Sequence, residues 1–283
     1  MSEFLVAVWS YEFLQHALIG GLLASIGCGI IGSYVVVKRI GYLAGGVSHS
    51  VLGGMGVALF FGMSPLGGAL VAAVASALLL GWVRLTWQEQ EDTLIGALWA
   101  VGMAIGILFI AQTPGYGVNL MSYLFGNILM VDSAGIWMML AIDLLILGTV
   151  AVCYQQLLAV SFDEEFARLR GLPVTFYYLL LLCMVAVTVV LLIQVVGLIL
   201  VIALLTLPAA IAAHYVQSLG RMMLLATLLG MLFTVAGLAI AYRPDLPAGA
   251  TIILVAGVSY LVSLFASNFR KRLKLERQQM RSV

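Results

Sequence analysis

The run Gly45-Gly46-Val47-Ser48-His49-Ser50-Val51-Leu52-Gly53-Gly54 holds a histidine between two hydroxyls and four glycines, inside an otherwise apolar stretch. Neutral imidazole is a common ligand for zinc and other first-row metals. Ser48 and Ser50 would add oxygen atoms beside His49, and Gly45, Gly46, Gly53 and Gly54 would let a neighbouring helix approach closely. An ionisable side chain in such surroundings is costly and usually faces a bundle interior or a water cavity. The competing reading is a packing histidine that hydrogen-bonds a neighbouring helix. The residues by themselves leave the two level.

Asp143 stands alone in another apolar run. A buried aspartate needs a partner or takes up a proton. It could anchor a hydrogen bond, carry a proton or bind a cation, and the structural role is slightly ahead. In Leu205-Thr206-Leu207-Pro208-Ala209-Ala210-Ile211-Ala212-Ala213-His214, proline removes a backbone hydrogen bond and frees a carbonyl. Small residues after Pro208 permit close packing. A simple kink is preferred over substrate contact there, and His214 is placed near the interface.

The segment Ser161-Phe162-Asp163-Glu164-Glu165-Phe166-Ala167-Arg168-Leu169-Arg170-Gly171-Leu172-Pro173 is polar and has the marks of one short helix. Ser161 is its expected N-cap, and Asp163, Glu164 and Glu165 suit the first turn. Arg168 and Arg170 fall toward its C-terminal end, Gly171 stops it and Pro173 prevents it resuming. Phe162 and Phe166, four apart, are expected on one exposed face. That favours a helix that docks on a cytoplasmic partner over a merely solvated one.

These features need elements to position them, and composition says which. Of 283 residues, 64% are hydrophobic and 9% are charged, where soluble domains carry about 25% charged residues. A soluble fold of this length could not hide so much apolar surface. Lipid can, and a helix needs about 20 apolar residues to cross it. The net charge of +1 gives no basic face for nucleic acid. Cys28, Cys153 and Cys183 lie in apolar runs without CxxC spacing, so neither a disulfide framework nor a structural zinc site is expected. The opening MSEFLVAVWSYEF has no basic n-region, and no cleavable signal peptide is expected.

Spans are expected near 17–37, 48–61, 66–83, 94–111, 134–154, 222–242 and 250–266. Residues 175–217 contain no Asp, Glu, Lys or Arg, about twice the length of one crossing. They form either two spans broken near 194–197 or one long span plus a re-entrant helix. A short interfacial or re-entrant helix could also sit in 113–133. With the loops at 38–39, 84–93, 155–174, 217–221 and the C-terminal tail on one side, twelve of thirteen basic residues fall there and only Arg243 is opposite. That side is cytoplasmic, and nine spans would put the N-terminus outside. The expected fold is therefore all-α. It is a polytopic membrane helix bundle of eight to nine transmembrane helices, one domain over 1–283 with a basic cytoplasmic tail at 267–283. No phosphate-loop, Ser-His-Asp or HExxH pattern is present, so a transport subunit is expected rather than an enzyme.

Four runs in order, GYLAGGVSHSVLGG, SFDEEFARLRGLPV, GLILVIALLTLPAAIAA and DLPAGATIIL, resemble the permease subunit of bacterial ATP-driven (ABC) importers for zinc, manganese or iron(II). The resemblance covers essentially the whole chain. It implies a homodimer in the bacterial inner membrane, bound to two cytoplasmic ABC ATPase subunits that carry the ATP. It also implies an extracytoplasmic metal-binding protein and a transported divalent ion, zinc first, with no tightly bound cofactor. Segment 161–173 would be the coupling helix, with Phe162, Asp163, Glu164, Glu165, Phe166, Arg168 and Gly171 its contact residues. His49, with Ser48 and Ser50, would contact the ion in the pore. Members of the family often carry an aspartate four residues before this histidine, where this chain has Gly45; Asp143 is a candidate substitute. The alternatives are an ion-gradient-driven secondary transporter and an ABC permease for a larger metal chelate. The first predicts several intramembrane carboxylates, and the second a longer chain.

Overall fold

A computed structural model describes residues 2–86, 91–113, 126, 128–244 and 246–279. Eleven α-helices account for nearly all of them: α1 Ser2–Ser10, α2 Glu12–Lys38, α3 Gly41–Phe60, α4 Pro65–Thr86, α5 Glu91–Gln112, α6 Ser133–Phe162, α7 Glu164–Leu169, α8 Val174–Val196, α9 Leu198–Tyr215, α10 Leu219–Tyr242 and α11 Ala248–Gln279. One 3-10 turn covers Ile128–Met130. Eight of the helices are long and apolar enough to cross a membrane, as the composition requires. The re-entrant element considered for 113–133 falls mostly outside the described residues.

The helix boundaries correct several expectations. α3 begins at Gly41, not near Ser48, so the glycines at 45 and 46 are already helical. A helix can hold them there because neighbouring helices press on both sides. α6 runs on through Phe162, with a local departure from helical geometry at Cys153. Its last two turns therefore extend into the segment read as a loop. Ser161 is consequently inside α6 and caps nothing. The cap of α7 is Asp163, whose extended backbone separates the two helices and whose Oδ1 accepts from Phe166 N at 2.9 Å. Phe162 and Phe166 thus stand on two helices joined by a bend, not on one helical face. Residues 175–217 form two helices broken near 194–197: α8 ends at Val196, Gly197 follows with a φ of 76° that suits glycine, and α9 begins at Leu198. The backbone of α11 continues as helix into the tail as far as Gln279.

The sides of the bundle can be read from contacts between helix ends. Lys38, ending α2, pairs with Glu164 of α7. Arg84, ending α4, donates from Nη1 to the Tyr178 hydroxyl near the start of α8 at 2.8 Å. Gln217, Ser218 and Leu219 line one cavity together with Tyr154, Phe162, Asp163 and Arg170. All these ends share the face rich in lysine and arginine, which is cytoplasmic. α9, at 18 residues, is about 27 Å long and brings the chain back to that face. Among the described residues, nine helices therefore run from one face to the other, eight of them long and apolar enough to qualify as membrane spans and α9 a shorter apolar one. α2 then starts on the outer side, where Phe4 of α1 meets Tyr242 at the end of α10 edge to face.

α2 is the central post, packed against α6, α8, α9 and α10. α3 is packed mainly between α4 and α5, and it also touches α8 and α9. Pro208 is buried inside α9, which continues through it as helix. The carbonyl of Leu204 there loses its usual helical donor.

Candidate functional site

α3 meets α5 backbone to backbone. A Cβ added at Gly53 would stand 2.8 Å from the Gly102 carbonyl oxygen, and one at Gly56 would stand 2.6 Å from that of Gly106. From the other side, a Cβ on Gly102 would stand 2.6 Å from Ser50 Cα. Gly54 packs with equal closeness on Gly68 of α4, and Gly46 on Ile95 of α5. The glycines of the motif thus have the packing role expected of small residues between membrane helices.

This tight seam places His49 against Trp99 of α5. The two rings stack, with centroids 3.9 Å apart and planes 14° from parallel. His49 is only 8% exposed, and its Nδ1 has no hydrogen-bond partner. Trp99 is half-buried and forms the outer layer of the stack. Ser48 donates its hydroxyl proton to the Ala44 carbonyl at 2.8 Å, and Ser50 donates to Val47 at 2.7 Å. A hydroxyl that donates to its own helix keeps its oxygen lone pairs for another partner. Gly45, one turn before His49, faces the same indole. A Cβ there would lie 3.3 Å from Trp99 Cζ3 and 3.1 Å from Ile202 Cδ1 of α9. Trp99 therefore occupies the space beside the position where a carboxylate would pair with His49.

Asp143 is elsewhere. It is buried at 2% exposure in α6, facing α2 and α8, with Gly27 and Thr188 as its neighbours. Its carboxylate lies against the Gly27 backbone and has no side-chain hydrogen-bond partner. The fold does not bring it to His49. Among the described residues, no three of His, Cys, Asp and Glu stand close enough together to hold a metal ion.

At the cytoplasmic face, α7 is fastened to the bundle by charge. Lys38 is buried beneath it, pairs with Glu164 and lies 5.5 Å from the centroid of the Tyr178 ring. The Arg84 guanidinium covers that ring too, at 4.8 Å. Tyr178 is fully buried, so the two cations and one carboxylate share a single aromatic hub. On the other side of α7, Phe162 and Phe166 are exposed, at 63% and 46%. They border a hollow of about 700 Å³ with Asp163, Arg170 and Gln217. Arg170 lies over the Phe166 ring at 4.7 Å. Gly171 ends the helix with φ 74°, and Glu165 and Arg168 point to solvent. Trp99, Tyr178, Arg84 and Lys38 carried no signal in the sequence beyond apolar packing and span ends. Their partners are 50 to 126 positions away, and no periodic pattern records such pairings.

Residues 10–267 match the ABC 3 transport family. An uncharacterized membrane protein of Synechocystis is 48% identical over 264 residues, covering 93% of this chain and 94% of that protein. The manganese transport system membrane protein MntC of Halalkalibacterium halodurans is 34% identical, covering 91% of this chain and 88% of that protein. Among solved structures, PsaBC from Streptococcus pneumoniae in complex with Fab superposes with a TM-score of 0.88 at 32% identity, over 97% of this chain and 99% of that one. This is a multi-pass protein of the inner membrane and a transport subunit rather than an enzyme, its ATPase being a separate chain. The chain belongs to the ABC 3 transport family, the metal-uptake ABC permeases that its four sequence runs resemble.

Proposed function

We propose that this chain is the permease of an ATP-driven importer for manganese(II), working as a pair of copies on two cytoplasmic ATPase subunits and fed by an external metal-binding protein. The observation that carries the metal is kinship with a permease named for manganese transport, at 34% identity over most of both chains. Zinc, the first expectation from a lone imidazole, and iron(II) are the competing substrates. His49 is the proposed ion contact, with the Ser48 and Ser50 oxygens beside it. Asp143, held between α2, α6 and α8, serves the packing of the bundle. The exposed face of α7, with Phe162, Asp163, Glu165, Phe166 and Arg168, is the proposed grip of the ATPase. Closure of the ATPase on ATP drives the switch because it binds one permease state better than the other. A permissive site suits this work, since an ion must leave as well as bind.

The test is co-expression with the ATPase and binding protein in sealed vesicles, with uptake of manganese, zinc and iron(II) followed with and without ATP. Manganese is expected to accumulate only with ATP and in preference to the other two. Metal uptake by the permease alone would sink the proposal. Preference for zinc would move the substrate while leaving the permease reading in place.

A further inference from the structure

α4 and α5 both pack on α3 and touch each other little. Between them a groove of about 700 Å³ runs over α3. It extends from Ser64, at the outer turn, to Ser76 of α4, about 18 Å at 1.5 Å per residue. Half the hydrocarbon of a bilayer is about 15 Å thick, so the groove spans the outer leaflet. Its lining holds three hydroxyls, on Ser50, Ser64 and Ser76, and no charged group. The floor is glycine backbone: Gly54 of α3 lies on Gly68 of α4, and Gly53 on Gly102 of α5. These glycines already have their helix partners within the chain. The rims are apolar and open, with Val71 exposed at 72% and Val101 at 55%. α5, which forms one wall, is the least buried of the eight spans.

An unfilled groove would cost its lining the dispersion contacts of one side. Size decides what fills it. Spread over about 18 Å, the volume leaves a mean section of about 40 Å². A helix with its side chains is about 10–12 Å across and needs about 80 Å² or more. A polymethylene chain, about 4–5 Å across at van der Waals contact, needs about 15–20 Å².

From this we infer that the groove is a lipid site: the two acyl chains of one outer-leaflet phospholipid lie in it, between α4 and α5. The chains are what is recognised, since no charged side chain lines the groove. The lipid backs on the helix that carries His49, beside Ser50. The inference is independent of which ion is carried.

The experiment blocks the groove and measures bound lipid on the assembled permease–ATPase complex. An added Cβ at Gly67 meets only Ser64 Cβ, at 3.9 Å, so a side chain there can enter the groove. Gly148 of α6 is equally open and lies outside it, which makes Gly148→Phe the control. The complex is reconstituted with a phospholipid carrying a diazirine on its acyl chain, irradiated, and mapped peptide by peptide by mass spectrometry. Labelling of the α3–α5 peptides should fall about tenfold in Gly67→Phe and persist in Gly148→Phe. If Gly67→Phe fails to assemble with its ATPase, Val101→Phe blocks from the opposite wall with the same expectation. Labelling equal to wild type in the blocked variant would overturn the site. Retention after detergent exchange should be alike for phosphatidylglycerol and phosphatidylethanolamine of equal chain length. Retention that follows headgroup charge instead would overturn recognition of the chains. Efficient copy-to-copy crosslinking of Val101→Cys by a short bismaleimide would seat a second copy in the groove and overturn the lipid.

Discussion

Lys38 of α2 and Glu164 of α7 form an ion pair beneath the cytoplasmic face, with the lysine 6% exposed and the glutamate 34% exposed. The pair joins the proposed grip of the ATPase to the helix that ends two residues before α3, the carrier of His49. Loss of either partner leaves the other part-buried and unmatched, at roughly 1–3 kcal/mol. Lys38→Glu and Glu164→Lys should each lower ATP-driven uptake by about tenfold. The exchanged pair, with Arg84 still near Tyr178, should recover most of it. A double-mutant cycle on uptake and on ATPase co-purification measures the coupling. Additive losses would show that the pair transmits nothing.

Backbone contact between α3 and α5 makes specific glycines irreplaceable. A methyl group at Gly53 would meet the Gly102 carbonyl at 2.8 Å, whereas one at Gly148 of α6 would meet nothing within 4 Å. Gly53→Ala should destabilise the permease by about 1–3 kcal/mol through overpacking. Gly148→Ala should be neutral or stabilising by up to about 1 kcal/mol through helix propensity. Unfolding midpoints in one detergent compare them directly, and equal midpoints would refute the contrast.

Gly45→Asp would restore a carboxylate one turn before His49. Trp99 and Ile202 must yield by a few tenths of an ångström to admit it, since their atoms lie 3.3 and 3.1 Å from the new Cβ. Oxygen ligands suit manganese, so binding by the purified complex should tighten by about tenfold. Transport should slow, because release becomes harder. Binding is read by calorimetry and turnover by vesicle uptake. An unchanged Kd would argue that His49 is not at the ion.

Asp163 caps α7 through its bond to Phe166 N at 2.9 Å. Asp163→Ala should cost about 1 kcal/mol of local helix stability, and Asp163→Asn much less. The amount of ATPase retained on an affinity-tagged permease should fall for Ala and persist for Asn. If both variants retain equal amounts, the cap does not matter to docking.

The spans were legible because lipid leaves a chain no other way to hide 64% hydrophobic residues. Gly197 was legible as a break because a charge-free stretch of double length has to turn somewhere. The start of α3 was not, because Gly45 and Gly46 lower helix propensity locally and only the packing of Ile95, Trp99 and Ile202 offsets it. The cap of α7 moved from Ser161 to Asp163 because α6 holds its helix two turns beyond the expected end, a choice made by packing. Trp99 was invisible as the stacking partner of His49. Pairs across helices leave no spacing to count, and a tryptophan in an apolar span reads as one more apolar residue.

α3 is the least apolar of the eight spans and the most deeply buried. It follows α2 after a turn of two residues, Arg39 and Ile40, yet its glycine seam is made for α5. The last residue of α5 comes 52 positions after the last of α3, 112 less 60. At about 5–20 residues per second, that is roughly 3–10 s of synthesis. During that interval the ribosome has delivered a glycine-faced helix, the least apolar of the spans, whose proper neighbour does not yet exist. The nascent chain must shelter α3 with α4 or with the insertion machinery until α5 arrives. Fragments ending before Glu91 should therefore be degraded rather than accumulate.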